Sequence, residues 1–171
     1  VGARWSLWRT TNGGVNWDST GMFVAQAGAE AGWNNAMYVS GTNIWFGTNN
    51  SRVYYSPLAG LTGTWRRQST TPASPSAVRF NTTTNAMRGG SQLMATNNSG
   101  VNWTAVTSPG TGNVTGITGS TVNYWFTRQA TSIYRTTDNG VTFTTDYTAP
   151  LGTFTHIQKA AIGSRMWAVR N

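Results

Sequence analysis

The sequence predicts an all-β protein built from four copies of one unit of about 40 residues, and three observations carry that expectation. One short box recurs as Thr10-Thr-Asn12-Gly-Gly14-Val-Asn-Trp17, Thr96-Asn-Asn98-Ser-Gly100-Val-Asn-Trp103 and Thr136-Thr-Asp138-Asn-Gly140-Val-Thr-Phe143. A degenerate copy, Ser56 to Trp65, keeps the leading hydroxyl and the closing Trp around an insertion, so the closing aromatics stand 48, 38 and 40 residues apart. An aromatic-centred segment recurs as Asn43-Ile-Trp45-Phe-Gly47, Asn85-Ala-Met87-Arg-Gly89, Asn123-Tyr-Trp125-Phe-Thr127 and Arg165-Met-Trp167-Ala-Val169, with centres 42, 38 and 42 residues apart. Thr, Ser, Asn and Gly dominate and only 9% of residues are charged, which suits many short strands joined by tight turns. Four strands per unit of about 40 residues is the arithmetic of a β-propeller blade.

Taken in order, the second unit reads as strands Asn35–Val39, Asn43–Gly47, Arg52–Ser56 and Thr64–Gln68. The third reads Ala77–Asn81, Asn85–Arg88, Gln92–Thr96 and Asn102–Val106; the fourth reads Val114–Thr118, Asn123–Thr127, Ser132–Thr136 and Thr142–Asp146. The remaining unit is split. His156–Ala160 and Arg165–Val169 come from the C-terminus, while Trp5–Arg9 and Asn16–Ser19 come from the N-terminus. Trp167 has no box downstream and the box ending at Trp17 has no aromatic segment upstream, so joining the ends would complete the fourth blade and remove its exposed edges. Ala25 to Ala31 is the one weak helical candidate, and Gly interrupts it.

The box has a physical task in the hairpin between the third and fourth strands of each blade. Asn12, Asn98 or Asp138 accepts backbone N–H bonds and folds the turn. Gly14, Gly100 and Gly140 supply a backbone conformation that a side chain would penalise. Trp17, Trp103 and Phe143 then close the hairpin as apolar clasps, and Thr10, Thr96 and Thr136 open it. This set of residues is expected to be structural, not a calcium site or a set of catalytic acids.

Box and aromatic segment together resemble the Asp-box, or bacterial neuraminidase repeat, of a β-propeller family. The repeat style is most similar to photosystem II assembly-factor-like and secreted bacterial surface propellers, and sialidases, sortilin-type receptors and two-propeller xyloglucanases share the unit. Asn replaces Asp in two of the three clear boxes. The resemblance implies a secreted or cell-surface protein. Because such propellers usually have six to ten blades, four blades' worth of chain reads as a small closed ring, half of a dimeric ring, or a portion of a larger propeller.

At 171 residues one domain, 1–171, is the default expectation. No apolar run approaches a membrane span, and the chain begins at Val1 without a signal-peptide pattern, which reads as a mature or trimmed product. Cysteine is absent, which excludes disulfides and thiolate metal ligands. The net charge of +8 comes almost wholly from arginines scattered singly, apart from Arg66-Arg67, so nucleic acid is not the expected partner.

Counting argues against catalysis. The acids are Asp18, Glu30, Asp138 and Asp146, whereas glycoside hydrolysis generally needs a facing carboxylate pair. The resemblance to sialidases would also ask for three inner-strand arginines, and Arg79 is the only arginine on a predicted innermost strand. His156 is the sole histidine, expected on an inner strand with a satisfied hydrogen bond, so neither a triad nor a metal cage can be assembled. No cofactor and no metal are expected.

Trp45, Trp125, Trp167 and Met87 are expected between blades, and Trp17, Trp65 and Trp103 as clasps; Trp5, Trp8 and Trp33 lie outside both sets. Trp33, in the connection Gly28 to Asn34, either stacks on a sugar ring or caps a blade edge. Trp33, Glu30 and Arg79 are therefore the candidate ligand-binding residues. The expected function is a non-catalytic module that binds a glycan or protein partner. The alternatives are a structural subunit that self-assembles or joins a larger parent chain, and a fragment of a xyloglucanase-like glycoside hydrolase.

Overall fold

The computed structural model describes residues 4–25, 27–69 and 76–171, and every regular element among them is a β-strand. Three complete antiparallel blades follow one another. The first comprises β3 (Gly32–Ser40), β4 (Asn43–Thr48), β5 (Arg52–Ser56) and β6 (Arg66–Ser69). The second comprises β7 (Ala77–Phe80), β8 (Ala86–Gly89), β9 (Met94–Thr96) and β10 (Thr104–Ala105), and the third β11 (Val114–Ser120), β12 (Asn123–Arg128), β13 (Ser132–Thr136) and β14 (Thr144–Thr148). Two half-blades flank them: β1 (Arg4–Ser6) with β2 (Phe23–Ala25), and β15 (Phe154–Lys159) with β16 (Met166–Arg170). No helix long and apolar enough to cross a membrane occurs among the described residues.

The expected closure does not form. Among the described residues β16 pairs only with β15 and β1 only with β2, so the strands form an open arc and not a closed four-blade ring. The predicted fourth strand Asn16–Ser19 is reduced to a single bridge between Arg9 and Asp18, and the pairing resumes at Ser6↔Phe23. The reason is the box itself: its side-chain-bonded turn occupies residues 10 to 17, and regular pairing restarts where apolar residues can face the next blade.

Blade faces carry the core. Trp45 is fully buried and stacks on Phe80 of the neighbouring blade at a centroid separation of 3.8 Å, with Tyr55 behind it at 5.1 Å. Met87 fills the same slot one blade later, in a cluster with Val114, Ile117 and Tyr124. Trp125 is only half-buried and gives its Nε1 proton to Asp146 at 2.9 Å, and Trp167 is exposed, because the sheet beyond Trp125 has two strands and no described strand packs over Trp167. The innermost strands touch closely: a Cβ on Gly116 would lie 2.7 Å from the Ile157 backbone nitrogen, so a larger residue there would push the last half-blade away.

The four hairpin turns share one hydrogen-bond scheme. Thr10, Thr96 and Thr136 hydroxyls accept from the N–H of Gly14, Gly100 and Gly140 at 2.9, 3.0 and 2.9 Å, and Ser56 accepts from Gly60 at 3.1 Å. Those glycines sit at φ +91°, +81°, +91° and +79°, in the left-handed region expected of them. Asn12 and Asn98 accept one further backbone N–H each at 3.0 Å, whereas Asp138 accepts from the N–H of both Val141 and Thr142 and from the Thr142 hydroxyl at 2.6 Å. Those bonds hold the Asp138 carboxyl far below the ordinary carboxylate range. Asp138→Ala is accordingly expected to lower the melting temperature by about 2–4 °C, while Asp138→Asn, the natural choice in two sister boxes, retains most of it. Calorimetry of both variants checks this, and equal losses would mean the turn depends on the charge rather than on the acceptor.

Candidate binding groove

A groove of about 480 Å³ lies on the face of the first complete blade, beside the β1–β2 pair. Its walls are Trp5, Trp8, Trp17, Trp33, Met37 and Val39. Strand alternation explains the lining: Tyr38 turns toward Phe80 of the next blade, so Met37 and Val39 on either side of it point the other way. Trp5 seals the floor, edge-on to Phe46 and Tyr54 at 5.3 and 5.4 Å. Trp8, Trp17 and Trp33 remain 62%, 57% and 47% exposed, as do Met37 and Val39 at about half, a concentration of open apolar surface that makes the groove the candidate site.

Of the three candidate ligand residues, only Trp33 lines this groove. Glu30 is buried instead, accepting from the Ala27 N–H at 2.9 Å, the Thr48 hydroxyl at 3.0 Å, the Arg52 guanidinium at 3.3 Å and the Tyr54 hydroxyl. Burial raises its pKa, but the hydrogen bonds from Tyr54, Ala27, Thr48 and Arg52 outweigh that and leave the carboxyl below its usual value. Burial, followed by the Glu30 bond, pushes the Tyr54 phenol up to about 12. Arg79 acts as a staple between blades, its guanidinium 4.6 Å over the Tyr38 ring and 2.6 Å from the Gly119 carbonyl of the third blade.

The other acids are also engaged. Asp146 pairs with Arg135 at 3.1 Å, and Asp18 caps the Thr20 N–H at 2.9 Å. Among the described residues no group of three His, Cys, Asp or Glu could hold a metal. His156 lies on the inner strand β15 as expected, but its Nδ1 finds no hydrogen-bond partner, and burial lowers its pKa.

Sequence reasoning missed most of the groove. It singled out Trp33 and left Trp5 and Trp8 unassigned, although Trp8 stands two residues before a box threonine, the slot that Tyr54, Met94 and Tyr134 occupy in the complete blades. It also passed over Arg88, which is fully buried against the Met94 sulfur and whose pKa burial lowers to about 10. The position pairs with Met94 and is held by Phe46 and Phe126 in the sister blades, so an apolar residue would be expected there.

Comparison with known proteins places the architecture. A structure of YCF48 bound to D1 peptide superposes with a TM-score of 0.68 at 16% identity, over 100% of this chain and 56% of that one. The computationally designed Ika4 protein matches with a TM-score of 0.61 at 10% identity, over 82% of this chain and 91% of that one. The GH74 enzyme of Niastella koreensis matches with 0.56 at 15% identity, over 75% of this chain and 19% of that one. No family model and no curated protein matches the sequence. The chain thus has the β-propeller fold and spans just over half the length of the YCF48 chain.

Proposed function

We propose that this chain is a non-catalytic β-propeller module, secreted or displayed at a cell surface, that binds a protein partner through the groove. The carrying observation is that the groove walls are apolar and lie beside an edge of β1 that no described strand covers, an arrangement that favours an added strand with bulky side chains. A protein-binding role is consistent with the fold likeness to YCF48, a protein solved with a bound peptide. The absence of catalysis rests on the acids: Glu30 is enclosed in a hydrogen-bonded cluster, Asp138 folds a turn, Asp18 caps a backbone N–H, and Asp146 is ion-paired.

The test is a tryptophan-fluorescence titration with nine-residue peptides alternating Trp or Val with Thr. A saturable spectral shift that disappears in a Val39→Asp variant is the expected result. Silence toward every peptide, or a shift indifferent to Val39, would sink the reading. Trp33, half-exposed on the groove wall, favours glycan stacking as the second reading. A response to cello-oligosaccharides that depends on Trp33 and is absent with peptides would select it.

A further inference from the structure

Between the second and third blades, both of them complete, a second groove of about 440 Å³ runs between two box turns. Four carboxamides and a hydroxyl, from Asn85, Asn97, Asn102, Asn139 and Thr104, line it. Among the described residues none of these five side chains hydrogen-bonds another protein group, and the Asn139 Oδ1 is enclosed without a partner. Elsewhere in the repeats such groups are consumed by the fold. Asn12 and Asn98 accept the N–H groups of their own turns, and Asn81 donates to the Asn123 carbonyl at 2.9 Å.

The sister blades show why this groove is open. Ala95 pairs with Met87 as Tyr55 pairs with Trp45 and Arg135 with Trp125, so the three side chains occupy one repeat position. In the first blade the Tyr55 ring covers Trp45 at 5.1 Å, and its hydroxyl donates to the Asn43 carboxamide at 2.8 Å. Asn43 and Asn85 also share a repeat position, two residues before Trp45 and Met87. In the third blade Arg135 is ion-paired with Asp146. The methyl group of Ala95 can do neither, and it leaves both the space and the Asn85 carboxamide unfilled.

We propose that this groove binds a neutral oligosaccharide, at a site separate from the apolar groove beside β1. A carboxamide sets N–H donors beside a carbonyl acceptor, the complement of neighbouring sugar hydroxyls, each of which both donates and accepts. Ala95 and the exposed Val141 supply apolar contact for the C–H face of a pyranose ring. Charge selects against acids. Asp138 is the one charged residue of the lining, and among the described residues no Arg or Lys joins it although the chain carries +8. Uronates, sulfated glycans and nucleic acid would meet only a carboxylate there. A peptide is disfavoured by the backbone, because β10 beside the groove spans only Thr104–Ala105 and offers almost no edge for main-chain bonds.

The test is an NMR titration of the isotope-labelled chain with cellotetraose and mannotetraose, read at the side-chain amide signals of Asn97 and Asn102. Saturable shifts with at least one of these sugars, and none with tetragalacturonate, are expected. Ala95→Tyr, which installs the first blade's residue, should abolish them. Asn97 is exposed, so Asn97→Ala keeps the fold even if the larger substitution does not. It should weaken binding about three- to tenfold, the worth of one hydrogen bond. Trp33→Ala should leave the shifts unchanged. Silence toward both neutral sugars, an equal response to tetragalacturonate, or shifts indifferent to Ala95 and Asn97 would overturn the proposal. Shifts that vanish with Trp33→Ala would place the sugar in the apolar groove and overturn it equally. Peptide binding that depends on Val39 is independent of all these outcomes, so either site can fail while the other stands.

Discussion

Trp45→Ala is expected to lower the unfolding free energy by about 3–5 kcal/mol, a large share of the roughly 5–15 kcal/mol that a domain possesses. The indole is fully buried, stacked on Phe80 and Tyr55, and packed with Val53, Val78 and Ala86, so its removal opens a cavity at the joint between two blades. Its Nε1 finds no hydrogen-bond partner, so Trp45→Phe, which discards that buried N–H along with one ring, should lose much less. Urea unfolding of the two variants compares the effects directly. An Ala variant as stable as the parent would show that the blades do not depend on this joint.

Glu30→Ala is expected to destabilise the chain by about 3 kcal/mol, because it strips the acceptor from the Tyr54 and Thr48 hydroxyls and the Ala27 N–H in a buried pocket. Arg52, half-buried at the rim, can turn to water and adds less. Glu30→Gln should fall between the two, since the amide oxygen still accepts while the charge is lost. The same network sets a pH dependence. With its folded pKa below the ordinary 4.5, Glu30 contributes stability that is present above about pH 4.5 and lost as pH falls through the lower folded value.

His156 adds an earlier step. Burial lowers its pKa from 6.5, so the unfolded chain binds its proton first, and stability declines as pH falls below about 6.5. Thermal melts between pH 7 and 3 should show two losses, the first missing in His156→Gln and the second reduced in Glu30→Gln, with Asp138 and Asp18, whose folded pKa values are also lowered, carrying the rest. A single loss unaffected by either change would assign the acid response to other groups.

The boxes were legible because they are local. A hydroxyl, an Asn or Asp two residues on, a left-handed Gly four on and a closing aromatic specify a hairpin within eight residues, and the structure builds each clear copy on that scheme. The aromatic segments were equally legible as strands, and Trp45 and Met87 lie where their repeat position put them.

The role of Glu30 was not legible, because its partners Thr48, Arg52 and Tyr54 sit 18 to 24 residues away on two other strands. Arg79 likewise read as a free inner-strand cation until the neighbouring blades brought Tyr38 and the Gly119 carbonyl to it.

The sequence by itself determined the repeat, the turn chemistry and the blade as the unit of structure, since these depend on residues close along the chain. Only the tertiary structure decided the arc. Whether Trp125 and Trp167 are core, whether Trp8 and Trp17 are walls of a groove, and whether the two ends meet depend on how far each blade turns from the last. That angle is the sum of many side-chain contacts at the joints, from Trp45 on Phe80 to Gly116 against Ile157, and no local pattern encodes such a sum.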